Sequence, residues 1–118
     1  MRFHDIAEAL HCTVYNKGRD YATADIEFII AGDLMNDVLM VDRENVLLLT
    51  SLTSDQVIYT ADIVEALGIL LVNDKQPLPG MRKLAEDFDV TLLSTSLPMF
   101  ESCAALHTIL SQKAEPAV

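Results

Sequence analysis

Basic residues, glycine, proline and cysteine are scarce in this chain of 118 residues, and tryptophan is absent. Eight Lys and Arg stand against 18 Asp and Glu, which gives a formal net charge of −10. Binding to nucleic acid depends on Lys and Arg that neutralise phosphates, so we expect no nucleic-acid partner. With only four glycines and no GxxxxGK[ST] string, the chain also lacks the glycine-rich loop that cradles nucleotide phosphates.

Long apolar runs are absent as well. The runs here are only a few residues long, whereas a helix that crosses a membrane needs about 20 apolar residues. Asp5 and Glu8 interrupt the first ten residues, where a secretory signal would be continuously apolar. The sequence therefore predicts a cytoplasmic protein without a membrane partner.

Metal-binding and redox motifs are not found. Cys12 and Cys103 lie far apart and form no CxxC pair, and the three histidines show no ligand spacing. Cys103 and His107 are four residues apart on a predicted helix, which suits a nucleophile and its base but is more typical of one core and one rim residue. We predict no metal and no cofactor.

Hydrophobic residues make up 51% of the chain, which excludes a disordered protein. Helical spacing of Phe3, Ile6 and Leu10 predicts a first helix. From residue 45 to 111, short apolar strands alternate with helical patterns, which is typical of βαβ units in a mainly parallel sheet. Gly68 is predicted to end the helix over 55–67. The last helix is predicted to end near residue 111, with a frayed tail over 112–118.

Hydroxyl side chains are concentrated where two of these strands end. Ligands of open α/β sheets bind beyond the carboxyl ends of the strands, and helix N-termini at such loops favour anions. A phosphate or carboxylate pocket is one interpretation, and ordinary helix caps and loop ends are the other. The residues concerned are Thr50, Ser51, Thr53, Ser54, Ser94, Thr95 and Ser96.

Two carboxylates follow a strand that the Ile- and Phe-rich run predicts over Asp25 to Ala31. Asp33 is a candidate N-cap of a short helical turn, and Asp37 lies four residues further on. The two could form an acid–base pair or a cation site. One cap and one solvated carboxylate is the simpler interpretation.

Three stretches in fixed order, GDLMNDVL, VLLLTSLTSDQVIYTADIVEALGILLVNDKQP and LLSTSLPMFESCAALHTIL, resemble the DRTGG domain family. The Asp-Arg-Thr-Gly-Gly string itself is absent. The resemblance implies a three-layer α/β/α sandwich like the N-terminal domain of HPr kinase/phosphorylase, without its kinase site. In pyrophosphatases such domains stand beside CBS domains and help to form the dimer. The resemblance implies a protein that is regulatory or of unknown function and not an enzyme, and no catalytic residue carries over.

From these observations we expect one DRTGG-like domain over residues 1–118 that acts as a non-catalytic regulatory module. Because a monomer of this size has difficulty burying so many apolar residues, a homodimer is expected. It would sense a small anionic ligand or dock a partner protein. GDLMNDVL, which contains Asp33, Asn36 and Asp37, and the hydroxyl loops match the family pattern and are the candidate site. The alternative is a small-molecule enzyme that uses Asp33, Asp37 and the same loops.

Overall fold

A computed structural model describes residues 1–114 of the chain, with side chains to residue 112. The helices are α1 (Phe3–Ala9), α2 (Met35–Val38), α3 (Asp55–Ile63), α4 (Pro79–Asp87) and α5 (Met99–Ala114). The strands are β1 (Thr13–Asn16), β2 (Phe28–Ala31), β3 (Val46–Thr50), β4 (Gly68–Leu71) and β5 (Thr91–Ser94).

The strands form one sheet in the order β1-β5-β4-β3-β2. Strands β2 to β5 are parallel and lie in the order of the chain, while β1 pairs antiparallel with β5 at the edge. In the register of the central pair, Leu48 lies opposite Ile69. All residues of β3, β4 and β5 are buried, as expected for parallel strands covered on both faces.

Helices cover both faces of the sheet. Leu47 and Leu49 of β3 pack in one core with Phe3 of α1 and Leu106 of α5. Leu48 points to the other face, where a second core contains apolar residues of α2, α3 and α4. Alternate residues of one strand therefore supply two cores. The predicted class, an α/β sandwich with a mainly parallel sheet, is confirmed.

The predicted helix stop at Gly68 is wrong, because Gly68 is the first residue of β4 and α3 already ends at Ile63. Glu65 (φ 56°) takes the left-handed position just beyond the helix. The amide of Ala66 donates to the carbonyl of Ala61 at 2.9 Å, which closes a Schellman motif. A substituent on Gly68 would lie 2.6 Å from the ring of Phe3, so this glycine is needed for close packing instead.

Helices α1 and α4 end in the same way, with His11 and Asp89 at left-handed φ. The chain thus places a histidine and two acidic residues where glycine is the usual choice. None of the four glycines has a positive φ.

The predicted end of the last helix is also wrong. Helix α5 continues to Ala114, so residues 112–114, which were assigned to a frayed tail, are helical. Residues 115–118 lie outside the described part of the chain. No helix within residues 1–114 is both long and apolar enough to span a lipid bilayer.

Candidate functional site

The carboxyl ends of β2 to β5 meet at one edge of the sheet, because these four strands are parallel neighbours. The predicted site residues fall in the segments that leave this edge. The structure gives them different surroundings: some are exposed, and others point into the protein.

Asp33 is bound by the loop that follows the neighbouring strand, β3. Its Oδ1 accepts hydrogen bonds from the Thr50 hydroxyl at 2.8 Å and from the Ser51 amide at 2.7 Å. Its Oδ2 accepts a hydrogen bond from the Ser51 hydroxyl at 2.5 Å. Three donors from two consecutive residues therefore converge on one carboxylate, which itself stays exposed to solvent.

The predicted N-cap role of Asp33 is consequently wrong. Leu34 occupies the N-cap position of α2 and makes no side-chain capping bond. The Asp33 carboxylate turns towards β3, because charged oxygens gain more from three convergent donors than from one helix amide.

The hydrogen bonds stabilise the ionised form of Asp33. Desolvation alone would raise the pKa of this carboxyl, but the hydrogen bonds from the Ser51 hydroxyl, the Ser51 amide and the Thr50 hydroxyl outweigh it and lower the pKa. Asp33 therefore stays ionised at neutral pH and is a weak base.

This lowered pKa predicts a component of acid sensitivity. A carboxyl whose pKa is lower in the folded state stabilises the fold above its unfolded-state pKa, and this stability is lost as the pH falls through the folded-state pKa. As the pH falls below about 4, the free energy of unfolding should decrease more steeply for the wild type than for Asp33→Asn. Urea titrations at several pH values measure this. Parallel pH profiles would contradict the prediction.

Asn36 and Asp37 do not join Asp33. Both lie on α2 with exposed side chains, whereas Asp33 lies outside that helix. No described hydrogen bond links the Asp33 and Asp37 carboxylates, so the structure offers nothing that would share a proton between them. The geometry gives no support to the alternative interpretation of an acid–base pair.

The hydroxyl loop after β5 points largely inwards. Thr95 is buried, and its hydroxyl donates to the carbonyl of Leu10 at 2.8 Å. The Ser94 hydroxyl is also buried and donates to the Tyr15 hydroxyl at 3.5 Å. Only Ser96 of this group is exposed. Thr95 and Ser94 thus fasten β5 to its surroundings.

Two further predicted residues follow β3. Ser54 is at the N-cap position of α3, but its side chain makes no capping hydrogen bond. Thr53 and Ser54 follow Ser51 in the segment between β3 and α3. Ser54 is exposed and Thr53 is half-buried.

Asn73 is a residue that the sequence analysis missed. Its Oδ1 accepts a hydrogen bond from the Met99 amide at 3.0 Å, in the first turn of α5. The backbone amide of Asn73 donates to the backbone carbonyl of Leu97 at 2.8 Å. Asn73 and Asp74 both have left-handed φ values, 61° and 58°. The signal available was the Asn-Asp pair directly after a strand, since both residue types tolerate this conformation.

The cysteines are poorly suited to nucleophilic chemistry. Burial raises the pKa of the Cys12 thiol to about 11 and also raises the pKa of the Cys103 thiol. Both thiols stay protonated at neutral pH, and the thiolate is the reactive form. The pairing of Cys103 with His107 as nucleophile and base is therefore not supported. Within the described residues, no group of three or more histidine, cysteine or acidic side chains is placed to hold a metal ion.

Comparison with known proteins identifies a class of fold. No protein-family model matches the chain, and no curated protein matches it in sequence. A solved structure does match it: the CBS and DRTGG domains of the regulatory region of Clostridium perfringens pyrophosphatase, in complex with the activator diadenosine tetraphosphate. The TM-score is 0.75 at 9% identity, over 89% of this chain and 45% of that chain. The chain thus spans less than half the length of its structural neighbour, and the likeness is one of fold.

Proposed function

We propose that the chain is a non-catalytic regulatory module that senses a small anionic ligand at the carboxyl edge of its sheet. The convergence of three donors on the exposed Asp33 carboxylate carries this proposal. The loop after β3 is already organised to hold an anion. A ligand phosphate or carboxylate has the same acceptor oxygens and would take the same donors.

Asp33 would then act as an internal competitor of the ligand. Because its side chain is exposed, the carboxylate can leave the loop without opening the core. Its departure would release the connection between the end of β2 and the loop after β3. Ligand binding would thereby be coupled to the position of α2, which follows Asp33 directly.

The structural neighbour supports phosphate as the ligand chemistry. That regulatory region was determined with diadenosine tetraphosphate, an activator that carries four phosphates. We therefore infer a phosphate-bearing ligand for this chain, recognised by the Ser51 amide and hydroxyl and by the Thr50 hydroxyl. Thr53 and Ser54 of the same loop, and Ser96 of the loop after β5, are the next candidates for contacts.

Titration calorimetry with diadenosine tetraphosphate and with ATP tests this function. Ser51→Ala should weaken binding by roughly 10-fold or more, because a hydrogen bond to a charged group contributes about 1.5–3 kcal/mol. Asp33→Asn should strengthen binding, since it removes the competing charge. Ser111→Ala, an exposed serine on α5, is the control and should bind like the wild type.

The dependence of nucleotide affinity on salt concentration is a second, independent test of the anion site. Because the chain carries a net charge of −10, it repels anions at long range. Added salt screens this repulsion and should strengthen binding at moderate ionic strength.

If Asp33→Asn weakens binding as much as Ser51→Ala does, or if neither nucleotide binds the wild type, the anion site is refuted.

We further infer that the chain works as one domain and as a homodimer. The high apolar content and exposed side chains such as Met40 and Phe100, which are 83% and 78% exposed, support an apolar contact between two copies. Sedimentation equilibrium gives the mass directly, and a monomer at micromolar concentration would contradict the homodimer.

A further inference from the structure

The outer side of helices α3 and α4 carries an exposed apolar surface. Tyr59 and Phe88 meet edge to face, with ring centroids 5.7 Å apart and an interplanar angle of 85°. Ile63 lies one helical turn beyond Tyr59 and is 67% exposed. These three residues form what we call the α3–α4 surface. Large apolar side chains grouped in this way are typical of binding sites for other proteins.

A cavity of about 460 Å³ adjoins this surface, and Phe88 belongs to both. The cavity lies at the amino ends of β4 and β5, since residues 65–67 and 88–90 line it and these strands begin at Gly68 and Thr91. It is therefore at the opposite edge of the sheet from the proposed anion site.

The walls of this cavity are strongly acidic. Four carboxylates line it, from Asp20, Asp62, Glu65 and Asp89. The only basic residue in the lining is Arg19, and its Nε pairs with the Asp89 carboxylate at 3.1 Å. Among the described ion pairs, none involves the other three carboxylates. The cavity therefore favours a positively charged group.

A second copy of the chain fits this region poorly. A two-fold contact brings the same surface of both copies together. The acidic cavity would then face its own copy, and like charges across an interface are unfavourable. A metal ion is not suited either, because the carboxylates form no group that could hold one within the described residues.

We propose that the α3–α4 surface docks a basic amphipathic segment of a partner protein. Apolar side chains of that segment pack on Tyr59 and Ile63. A lysine or arginine beside them enters the cavity, which Phe88 also lines, and the carboxylates of Asp62 and Glu65 attract its charge. The proposal does not depend on the anion site, because the two sites share no residue.

Fluorescence anisotropy with the full chain tests this. The probe is a labelled helical peptide of about 14 residues, made of leucine and arginine, with leucines at i, i+3, i+4 and i+7. A scrambled peptide of the same composition is the first control. We expect the amphipathic peptide to bind at least about 10-fold more tightly than the scrambled one, because only it presents an apolar face to the anchors.

Variants locate the binding on the protein. Ile63→Asp and the double variant D62N/E65Q should each weaken binding by roughly 10-fold, the loss of about one good anchor. The control matched to D62N/E65Q is E8Q/E101Q, which removes two exposed acidic side chains on α1 and α5, on the other face of the sheet, and should bind like the wild type. Thermal unfolding establishes that all variants are folded.

Three results would overturn the proposal. The first is equal affinity for the scrambled and the amphipathic peptide, which would leave only non-specific charge attraction. The second is a loss of affinity in the control variant as large as in the test variants. The third is a lower mass in sedimentation for Ile63→Asp than for the wild type, which would mean that a second copy covers this surface.

Discussion

Replacing Gly18 with alanine is expected to destabilise the fold by about 1–3 kcal/mol. A Cβ at this position would lie 2.6 Å from the carbonyl oxygen of Asp89 and 2.9 Å from the amide nitrogen of Thr91. Both atoms belong to the main chain, so no side chain can rotate out of the way. The Gly18 amide also donates to the Thr91 hydroxyl at 2.9 Å, and this bond would be strained. Urea unfolding measures the loss.

Gly32→Ala is the matched control for this change. No atom lies within 4 Å of a Cβ built on Gly32. The same substitution should leave the free energy of unfolding unchanged or raise it slightly, because alanine restricts the unfolded chain more than glycine does. Equal losses for both variants would show that close approach is not the reason for glycine at position 18.

Replacing Thr95 with valine should destabilise the fold by about 1–3 kcal/mol, the cost of leaving a buried polar group without a partner. Valine has nearly the shape of threonine but cannot donate to the Leu10 carbonyl, 2.8 Å from the hydroxyl. It also removes the acceptor of the Leu97 amide, at 3.3 Å. Thermal and urea unfolding report the difference.

The neighbouring Ser96 provides the comparison. Its side chain is exposed, so Ser96→Ala should be nearly silent in stability. Thr95→Val should leave the affinity of the folded protein for diadenosine tetraphosphate unchanged, because its hydroxyl points into the protein. A lost affinity with unchanged stability would instead assign Thr95 to the ligand site.

The architecture was predictable because the apolar runs are short and continuous, which is typical of strands buried on both faces. VLLL and ILLV give no helical period, and the helical patterns between them leave a parallel sheet as the consistent solution. The strand bounds were harder. Hydrogen bonding to a neighbour determines where a strand begins, so β2 starts at Phe28, which is opposite Val46, and not at Asp25.

For the candidate site residues, the sequence predicts the edge of the sheet but not the contacts. Parallel neighbours bring their carboxyl ends together, so Asp33, Thr50 and Ser51 were expected at one edge. Which donors Asp33 would meet depends on the register of β2 against β3, and local sequence does not fix this. The inward direction of Thr95 likewise depends on its contact with Leu10, a residue of the N-terminal segment.

The order of the strands also determines how the sheet can grow as the chain folds. Strands β2 to β5 are added in sequence, each beside the one before it, so each step closes a short loop. Strand β1 is different, because it lies near the start of the chain and its partner β5 lies near the end. We expect the antiparallel edge to close after the parallel unit, because its contact joins distant parts of the chain and closes the longest loop. Disturbing β1 should mainly accelerate unfolding and leave the folding rate almost unchanged.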